Sequence, residues 1–318
     1  MNNPIFIGGL DRSGKTYMRM MLATHPRLFF SHRTNLWTSY YNRYGDLNQA
    51  DNLERCLADL MKSKHIRTLT PDFTRLKRDL EPAPVSYGRL FALIHEHHAE
   101  KIGKTRWGDQ TEFIEYYADE IFSACPDAKI IHMLRDPRDR YEAMQHKSQR
   151  RGGLGVATAR WHASAMLAQR NQTKYSGRYK VIRYETMVTN LETILYETCE
   201  FLGEKFFFNM LQMQGETRFA ERDQNEEEES KGPLTTKYIG CYRNGLSIRE
   251  VAYIQKQAGQ LMSTFGYSLD PIHFSWKESL RFHLLDETVN SFYKLGWQIK
   301  DITKNIKLWN TDPSSLVV

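Results

Sequence analysis

The sequence predicts an α/β protein in which a central parallel sheet is flanked by helices. Three observations predict this class. The short apolar run at residues 4–7 enters a glycine turn and then a helical pattern that ends at Pro26. A second continuous apolar run at residues 128–134 is typical of a buried parallel strand. The long stretch between them shows helical periodicity, so the strands alternate with helices.

The chain length sets the expected domain organisation. Its 318 residues are enough for one large domain with a full core. We expect the α/β domain to span residues 1–270, with a helical insertion at about 36–103 and a helical extension at 271–318. The extension carries apolar residues along one side of a long helical pattern. Packing on the core, a homodimer contact and contact with a membrane surface are all consistent with it.

Composition excludes several classes of protein. Hydrophobic residues make up 41% of the chain, but no run approaches the ~20 apolar residues that a membrane helix needs. The first strand follows Met1 almost at once, so we expect a cytoplasmic protein. The net charge of +6 is spread along the chain without a basic, aromatic-rich stripe, so no nucleic-acid partner is expected. The cysteines are isolated in the sequence, which argues against a metal knuckle or a disulfide framework: Cys56, Cys125, Cys199 and Cys241.

The glycine turn after the first strand has the features of a phosphate cradle. Backbone N–H groups at a turn and at a helix start lack intrahelical partners, and the helix dipole adds positive charge there. Glycine lets the backbone approach an anion, Arg12 and Lys15 add charge, and hydroxyls add donors. The predicted nucleotide-binding residues of this turn are Asp11, Arg12, Ser13, Gly14, Lys15 and Thr16.

The turn fits two kinds of protein. Gly9 to Thr16 matches the G-x-x-x-x-G-K-[ST] pattern of nucleoside triphosphatases and kinases, which predicts a sheet of P-loop type. The same residues, followed by Leu22 and His25-Pro26, resemble the PRSGTT-x5-L-x2-HP opening of sulfotransferases that use 3′-phosphoadenosine 5′-phosphosulfate (PAPS). Asp11 replaces the proline of that family and Lys15 its first threonine. This motif alone does not decide between the two.

The second strand is predicted at residues 28–30, and its end carries a candidate base. Ligands bind at the carboxyl ends of strands in doubly wound sheets, so Ser31 to Asn35 are well placed. The resembling sulfotransferases often have a glutamate here, whereas this chain has His32 and Arg33. Histidine is chemically suited to accept a proton, although a structural role is equally consistent with its position.

The helical insertion carries three histidines that invite a metal hypothesis. His95, His97 and His98 are spaced by two residues and by one, with no carboxylate-and-histidine pair at helical i, i+4 spacing nearby. We therefore interpret them as a solvated helix end. No metal is expected.

A second constellation lies around the apolar run at residues 128–134. The order WGD-x-T, helix, PDAKIIHMLRDPRD resembles the middle part of the sequences of the same sulfotransferase family. This resemblance implies that Arg135 binds the 3′-phosphate of the nucleotide. A kinase is expected to place a magnesium-binding aspartate at this point. The alternative is that Arg135 and Arg138 simply pair with Asp136 and Asp139 around a helix start.

The chain departs from the family pattern at three further places. Ala143 stands where the family has a serine that donates to the 3′-phosphate. A hydrogen bond to a charged group contributes about 1.5–3 kcal/mol, so its loss predicts weaker nucleotide binding. Gln110 and Glu112 replace the lysine and the proline of the W-G-D-K-T-P stretch, which predicts a different acceptor side.

The resemblance continues towards residue 267. A strand is predicted at residues 179–185, where Tyr184 is equally consistent with a nucleotide contact and with a buried structural role. The acidic stretch 224–233 is predicted to be a mobile loop. The segment after it resembles the late G-x-W-R of the family, with Tyr242 in the tryptophan place, so Lys237 and Arg243 are candidates to close over the nucleotide.

Together these motifs imply a PAPS-dependent sulfotransferase that releases 3′,5′-adenosine bisphosphate (PAP). In this interpretation Arg12 and Lys15 stabilise the leaving phosphate, and His32 or Asp109, which lies in the segment leading off another predicted strand end, takes the acceptor proton. The acceptor is a hydroxyl or an amine on a small molecule, carbohydrate, lipid or peptide. A P-loop kinase or triphosphatase and a non-catalytic nucleotide-binding relative are the alternatives.

Overall fold

Five parallel strands form one sheet in the order β2-β3-β1-β4-β5. The computed structural model describes residues 3–145, 153–213 and 234–310. The strands are β1 (Ile5–Gly8), β2 (Leu28–His32), β3 (Arg106–Gln110), β4 (Lys129–Leu134) and β5 (Tyr179–Arg183). The predicted α/β class with a central parallel sheet is confirmed. Because β1 is central, the turn that follows it lies between the carboxyl ends of β3 and β4, where ligands bind in such sheets.

Helices cover both faces of this sheet. From the first strand to β4 they are α1 (Lys15–Ala23), α2 (Ala50–Lys62), α3 (Lys64–Arg67), α4 (Phe73–Leu80), α5 (Tyr87–Lys101) and α6 (Ala118–Ala124). After β4 they are α7 (Pro137–Gln145), α8 (Gly153–Lys174), α9 (Tyr184–Thr189), α10 (Leu191–Leu202), α11 (Tyr242–Gly245), α12 (Ile248–Thr264), α13 (Trp276–Arg281) and α14 (Glu287–Asn310).

Residues 106–110 form strand β3, of which the sequence analysis predicted only an end near Asp109 and no extent. Its charged and glycine residues hide the pattern of a buried strand. Arg106 is buried, but its guanidinium donates to the carbonyls of Asn3 and Leu202 and pairs with Glu204. Gly108 leaves room for the Phe30 ring, since a Cβ atom there would lie 2.3 Å from a ring carbon. Tertiary partners therefore make this polar segment a strand.

The predicted insertion at 36–103 consists of α2 to α5 and a π-helical turn at Leu36–Tyr40, inserted between β2 and β3. These helices share an apolar cluster with the sheet in which Phe6 contacts Trp37 and Trp107 edge-on. The insertion thus covers one face of the sheet beside the carboxyl end of β2.

The interpretation of the three histidines as a solvated helix end is wrong for His95 and for His97, which are both buried. His95 is 1% exposed, stacks on Trp107 with ring centroids 4.3 Å apart, and hydrogen-bonds to Ser31 and to the carbonyl of Phe91. The reason is that its face of α5 packs on the sheet. In the described part of the chain, no three His, Cys, Asp or Glu side chains are grouped so that they could hold a metal ion.

Residues 276–310 of the C-terminal extension form a continuous helical segment. A π-helical turn at Phe282–Asp286 joins α13 to α14, and the segment packs on α8 and α12. Gly155 of α8 allows the closest approach, since a Cβ atom there would lie 2.0 Å from the carbonyl oxygen of Asn290. Among the helices of the described ranges, none is long and apolar enough to cross a membrane. The predicted loop at 224–233 lies outside the described residues.

Candidate active site

The turn between β1 and α1 forms a cradle whose backbone conformation requires glycine at two positions. Gly9 has φ 101° and Gly14 has φ 88°, both in the left-handed region. A Cβ atom on Gly14 would also lie 2.7 Å from the Tyr184 ring. No side chain caps α1, so the N–H groups at its start keep the donor capacity that anion binding uses.

A small cleft opens in front of this cradle. The structure brings seven of the predicted residues together in its wall: Asp11, Arg12, Gly14, Lys15, Thr16, Arg135 and Tyr184. Four further residues line it that sequence reasoning had not assigned to the site: Tyr17, Arg33, Gln110 and Glu112. The sequence signal for Arg33, Gln110 and Glu112 was their position at the carboxyl ends of β2 and β3.

Lys15 is buried at the floor of the cleft. Its Nζ atom donates to the carbonyl oxygen of Gly9 at 2.8 Å and lies 3.4 Å from a carboxylate oxygen of Glu112. A bound anion must therefore compete with these two partners for the ammonium group. The sequence analysis did not predict this pairing of Lys15 with Glu112.

Arg135 follows β4 directly and points towards the cradle. The side chain is 2% exposed, donates to the carbonyl oxygens of Arg12 and Tyr238 at 3.0 Å, and stacks its guanidinium over the Tyr184 ring at 4.6 Å. Arginine and tyrosine thus form one wall of the cleft next to the turn. Such a wall offers a charge for a phosphate and an aromatic face for a base.

The neighbouring Arg138 has a structural role. It donates to both carboxylate oxygens of Asp136 and to Gln255. Asp139 accepts hydrogen bonds from the N–H groups of Gly240 and Tyr242, at 2.7 and 3.0 Å. Arg138 therefore fits the hypothesis of local pairing with an aspartate. Arg135, which lines the cleft, fits the hypothesis of a phosphate contact.

Two predicted residues of the turn are engaged within the protein. Ser13 is buried, and its hydroxyl donates to the carbonyl oxygen of Leu10 at 2.6 Å. Asp11 forms an ion pair with Arg140. Burial alone raises the pKa of Asp11, but Arg140 more than offsets this and lowers the pKa to about 2. Both side chains hold the shape of the turn.

Lys237 and Arg243 do not line the cleft. Arg243 is 60% exposed and lies 3.3 Å from Asp270. The Lys237 ammonium lies 6.0 Å from the ring centroid of Tyr238. The structure brings the backbone of their segment to the site instead, through the Tyr238 carbonyl that accepts from Arg135.

His32 is the last residue of β2, two residues beyond the predicted end of that strand. His32 does not line the cleft, although its neighbour Arg33 does. Its Nε2 atom is buried and has no hydrogen-bond partner among the described residues. Burial, followed by the charges of Arg19 and Arg33, lowers the pKa of His32 to about 2. The imidazole is therefore neutral at physiological pH, which is the form that accepts a proton.

Asp109, the rival candidate base, is saturated with hydrogen bonds. Its carboxylate accepts from the hydroxyls of Ser31, Thr34 and Thr111 at 2.8, 2.6 and 2.8 Å, and it is 1% exposed. These contacts tie the end of β2 to the end of β3. The geometry favours a role in positioning His32 and Arg33 over direct proton transfer.

A buried acid supports the turn from behind. Glu115 is fully buried, accepts from the Gly9 N–H at 3.4 Å and accepts from the Ser164 hydroxyl at 2.5 Å. Sequence reasoning missed it because a glutamate in an amphipathic helical segment looks like a surface charge. Ala143, at the place of the serine of the family, is also buried and offers no donor.

Residues 4–207 match the model of the sulfotransferase family. The chain belongs to the sulfotransferase family. The sulfotransferase domain of an olefin synthase from Synechococcus PCC 7002 is similar in structure, with a TM-score of 0.60 and 21% identity over 85% of this chain and 96% of that domain. A sulfotransferase domain from the curacin biosynthetic pathway has a TM-score of 0.51 and 18% identity over 85% of this chain and 99% of that domain. No curated protein sequence matches this sulfotransferase.

Proposed function

We propose that this sulfotransferase moves a sulfuryl group from PAPS to a hydroxyl or amine acceptor. The observation that carries this proposal is the position of Arg135, a buried cation beside the glycine turn at the point where a kinase has a metal-binding acid. PAPS carries a 3′-phosphate in addition to its 5′-phosphosulfate. A cradle with a second cation beside it suits a nucleotide with two separate anionic groups.

The residues of the cleft have distinct roles in this proposal. The N–H groups at the start of α1, with Thr16, hold the 5′-phosphate. Arg135 binds the 3′-phosphate, and the Tyr184 ring supports the nucleotide. Arg12 and Lys15 stabilise the negative charge that develops on the leaving phosphate oxygen, where a fixed cation lowers the barrier most.

His32 is the proposed base. The acceptor oxygen forms a bond to sulfur while the bond between sulfur and the bridging phosphate oxygen breaks, and the acceptor proton passes to the imidazole Nε2. The products are the sulfated acceptor and PAP. Burial is the main cause of the lowered pKa of His32, and nearby cations add to it; an anionic donor near Lys15 and Arg33 offsets the part due to these cations and so raises the proton affinity of the imidazole.

A magnesium-dependent kinase or triphosphatase is the second candidate, favoured by the lysine of the G-x-x-x-x-G-K-[ST] match. Asp109 at the end of the neighbouring strand β3 is an acid that a metal ion could use, but three hydroxyls already donate to it. ATP hydrolysis that requires magnesium and is lost in Lys15→Thr would favour this candidate. Sulfuryl transfer that survives Lys15→Thr would contradict it.

Calorimetry with PAP and adenosine 5′-monophosphate tests the proposal. We expect the wild-type protein to bind PAP at least tenfold more tightly, because only PAP has the 3′-phosphate that Arg135 binds. Arg135→Ala removes a charge-assisted contact of about 1.5–3 kcal/mol and should weaken PAP binding roughly ten- to a hundredfold. Arg170→Ala, which removes an exposed cation paired with Asp119, is the control and should not change affinity. Equal affinity for the two nucleotides contradicts the proposal.

A further inference from the structure

Arg33 and Gln110 line the cleft on the side opposite to the proposed contacts of the 3′-phosphate. The sheet order β2-β3-β1-β4-β5 places the cradle at the central strand, with Arg135 and Tyr184 after the ends of β4 and β5. Arg33 directly follows β2, and Gln110 is the last residue of β3. A donor that occupies the cradle and the β4 side leaves the β2 side of the cleft for the acceptor.

The backbone holds Arg33 in a conformation that side chains rarely adopt. Its φ of 53° lies in the left-handed region, which costs a non-glycine residue about 1–2 kcal/mol. The Arg33 N–H donates to the carbonyl oxygen of Gln110 at 2.9 Å. Ser31 and Thr34, which precede and follow Arg33, both donate their hydroxyls to Asp109. A strained residue that its surroundings fix in this way is typical of a functional site.

The Gln110 side chain presents a second donor group next to Arg33. It is 4% exposed, and its Oε1 atom accepts from the Nε of Arg19 at 3.1 Å. A guanidinium nitrogen can only donate, so the amide oxygen faces Arg19 and the NH₂ group is the part that can donate to a ligand. The ends of two paired strands therefore carry a guanidinium and an amide NH₂ in the wall of one cleft.

The charge at this end of the cleft favours an anion. Arg19 and Arg33 both act on the neighbouring His32 and, after burial, are the main causes that lower its pKa. The acid of the same wall, Glu112, turns its carboxylate to the cradle, where it lies 3.4 Å from the Lys15 ammonium. A negative group beside Arg33 is therefore stabilised, whereas an ammonium group there is repelled.

We propose that Arg33 and Gln110 form a subsite for a carboxylate of the acceptor, so that the preferred acceptor is an acidic hydroxyl or amine compound. A guanidinium donates two parallel N–H groups that match the two oxygens of a carboxylate. One cleft-lining cation at this end suits a group with a single negative charge. Both residues depart from the family pattern, so the subsite is particular to this chain. This inference rests on the proposed function, because the donor must occupy the other side of the cleft.

Calorimetry with matched pairs of acceptors tests the subsite. The protein saturated with PAP is titrated with para-hydroxyphenylacetate and with para-hydroxyphenylacetamide, which have a similar shape and differ in charge. Glucuronate and glucuronamide form a second pair for carbohydrate acceptors. In at least one pair the acid should bind roughly tenfold more tightly than the amide, because only the acid makes a charge-assisted contact with Arg33.

Two variants and a control assign this preference to the subsite. Arg33→Gln should make the acid bind as weakly as the amide, with affinities for PAP and PAPS close to those of wild type. Gln110→Glu places a like charge beside the carboxylate, keeps an acceptor for Arg19, and should also abolish the preference. Arg27→Gln is the matched control, since Arg27 precedes β2, is 61% exposed and pairs with Glu204, and it should keep the preference.

The outcomes separate this inference from the proposed function. No preference for the acid in either pair overturns the subsite, and so does a preference that survives Arg33→Gln. A loss of affinity for PAPS but not for PAP in Arg33→Gln assigns Arg33 to the sulfuryl group of the donor and also overturns it. A wild-type protein that binds PAP and adenosine 5′-monophosphate equally contradicts the proposed function itself.

Discussion

Lys15 and Glu112, which both line the cleft, form an ion pair at 3.4 Å. Glu112 is about one-third exposed, so water screens the pair and its contribution is small. A phosphate in the cradle brings more negative charge than one carboxylate and also has the N–H donors of α1. Lys15 can therefore exchange partners at low cost when the donor binds.

His32 carries the sharpest prediction at the scale of a single residue. Replacing a general base lowers turnover by about 10²–10⁴-fold, so His32→Ala should fall in this range with PAP affinity within a few fold of wild type. The dependence of the reaction rate on pH, measured with a genuine acceptor, is a second test of this role. Because the pKa of His32 is lowered to about 2 in the free protein, kcat/KM should show no acid limb from this group near neutrality.

Asp109→Asn is the companion variant for His32. It removes a carboxylate that accepts from three hydroxyls, so we expect a lower melting temperature together with reduced turnover. If His32→Ala keeps more than about a tenth of wild-type turnover, the histidine is not the base. A pH profile altered only by Asp109→Asn would then assign proton transfer to the aspartate.

Glu185 should make stability depend on pH. This buried carboxyl accepts from the Asp136 N–H at 2.8 Å and from the Tyr267 hydroxyl at 3.1 Å. Burial raises its pKa to about 7, whereas an unfolded glutamate titrates near pH 4.3. The folded state therefore holds one more proton between these values. Its stabilisation is complete below about pH 4 and is lost as the pH rises through 7, at about 1.4 kcal/mol per pH unit.

Urea unfolding between pH 5 and pH 8 checks this prediction. The wild-type free energy of unfolding should fall by roughly 3 kcal/mol more than that of Glu185→Gln over this interval, because glutamine stays neutral. Glu54→Gln, on an exposed glutamate, is the control and should keep the wild-type slope. Parallel curves for wild type and Glu185→Gln would show that the carboxyl is ionised throughout.

At the scale of an element, the start of α1 depends on Gly14. Gly14→Ala places a side chain at φ 88°, which costs about 1–2 kcal/mol, and puts its Cβ 2.7 Å from the Tyr184 ring. The cradle must shift, so PAP affinity should fall at least tenfold by calorimetry. Gly103→Ala has a similar φ of 72° but no atom within 4 Å, so it should lose stability and keep PAP affinity. A PAP affinity unchanged in Gly14→Ala would contradict the role of this helix start.

At the scale of the whole molecule, the extension and the site should be separable. Gly155→Ala places a Cβ 2.0 Å from the Asn290 carbonyl oxygen and should destabilise the packing of α14 on α8 by about 1–3 kcal/mol. Gly296→Ala, in open space on α14, should instead stabilise the helix by about 0.5–1 kcal/mol. Thermal unfolding measures both changes, and PAP affinity should stay within twofold of wild type. A large loss of PAP affinity in Gly155→Ala would show that the extension supports the cleft.

The sequence by itself determined the parts of the site that are contiguous in the chain. The apolar run before Gly8, the glycine turn and the spacing of α1 are local patterns, and so are β4 and the arginine that follows it. The order of these two motifs identified the family. Each depends on residues close together in the chain, whose pattern follows from burial and backbone geometry.

Only the tertiary structure decided which charged residues line the cleft and which pair with other residues to stabilise the fold. Arg135 and Arg138 are three residues apart and look alike in the sequence, yet one lines the cleft and the other pairs with Asp136. Strand β3, the Lys15–Glu112 pair and the support of Gly9 by Glu115 join residues about one hundred positions apart. A local pattern carries no information on such pairs, because the energy of a charged group depends on the partners that the fold brings to it.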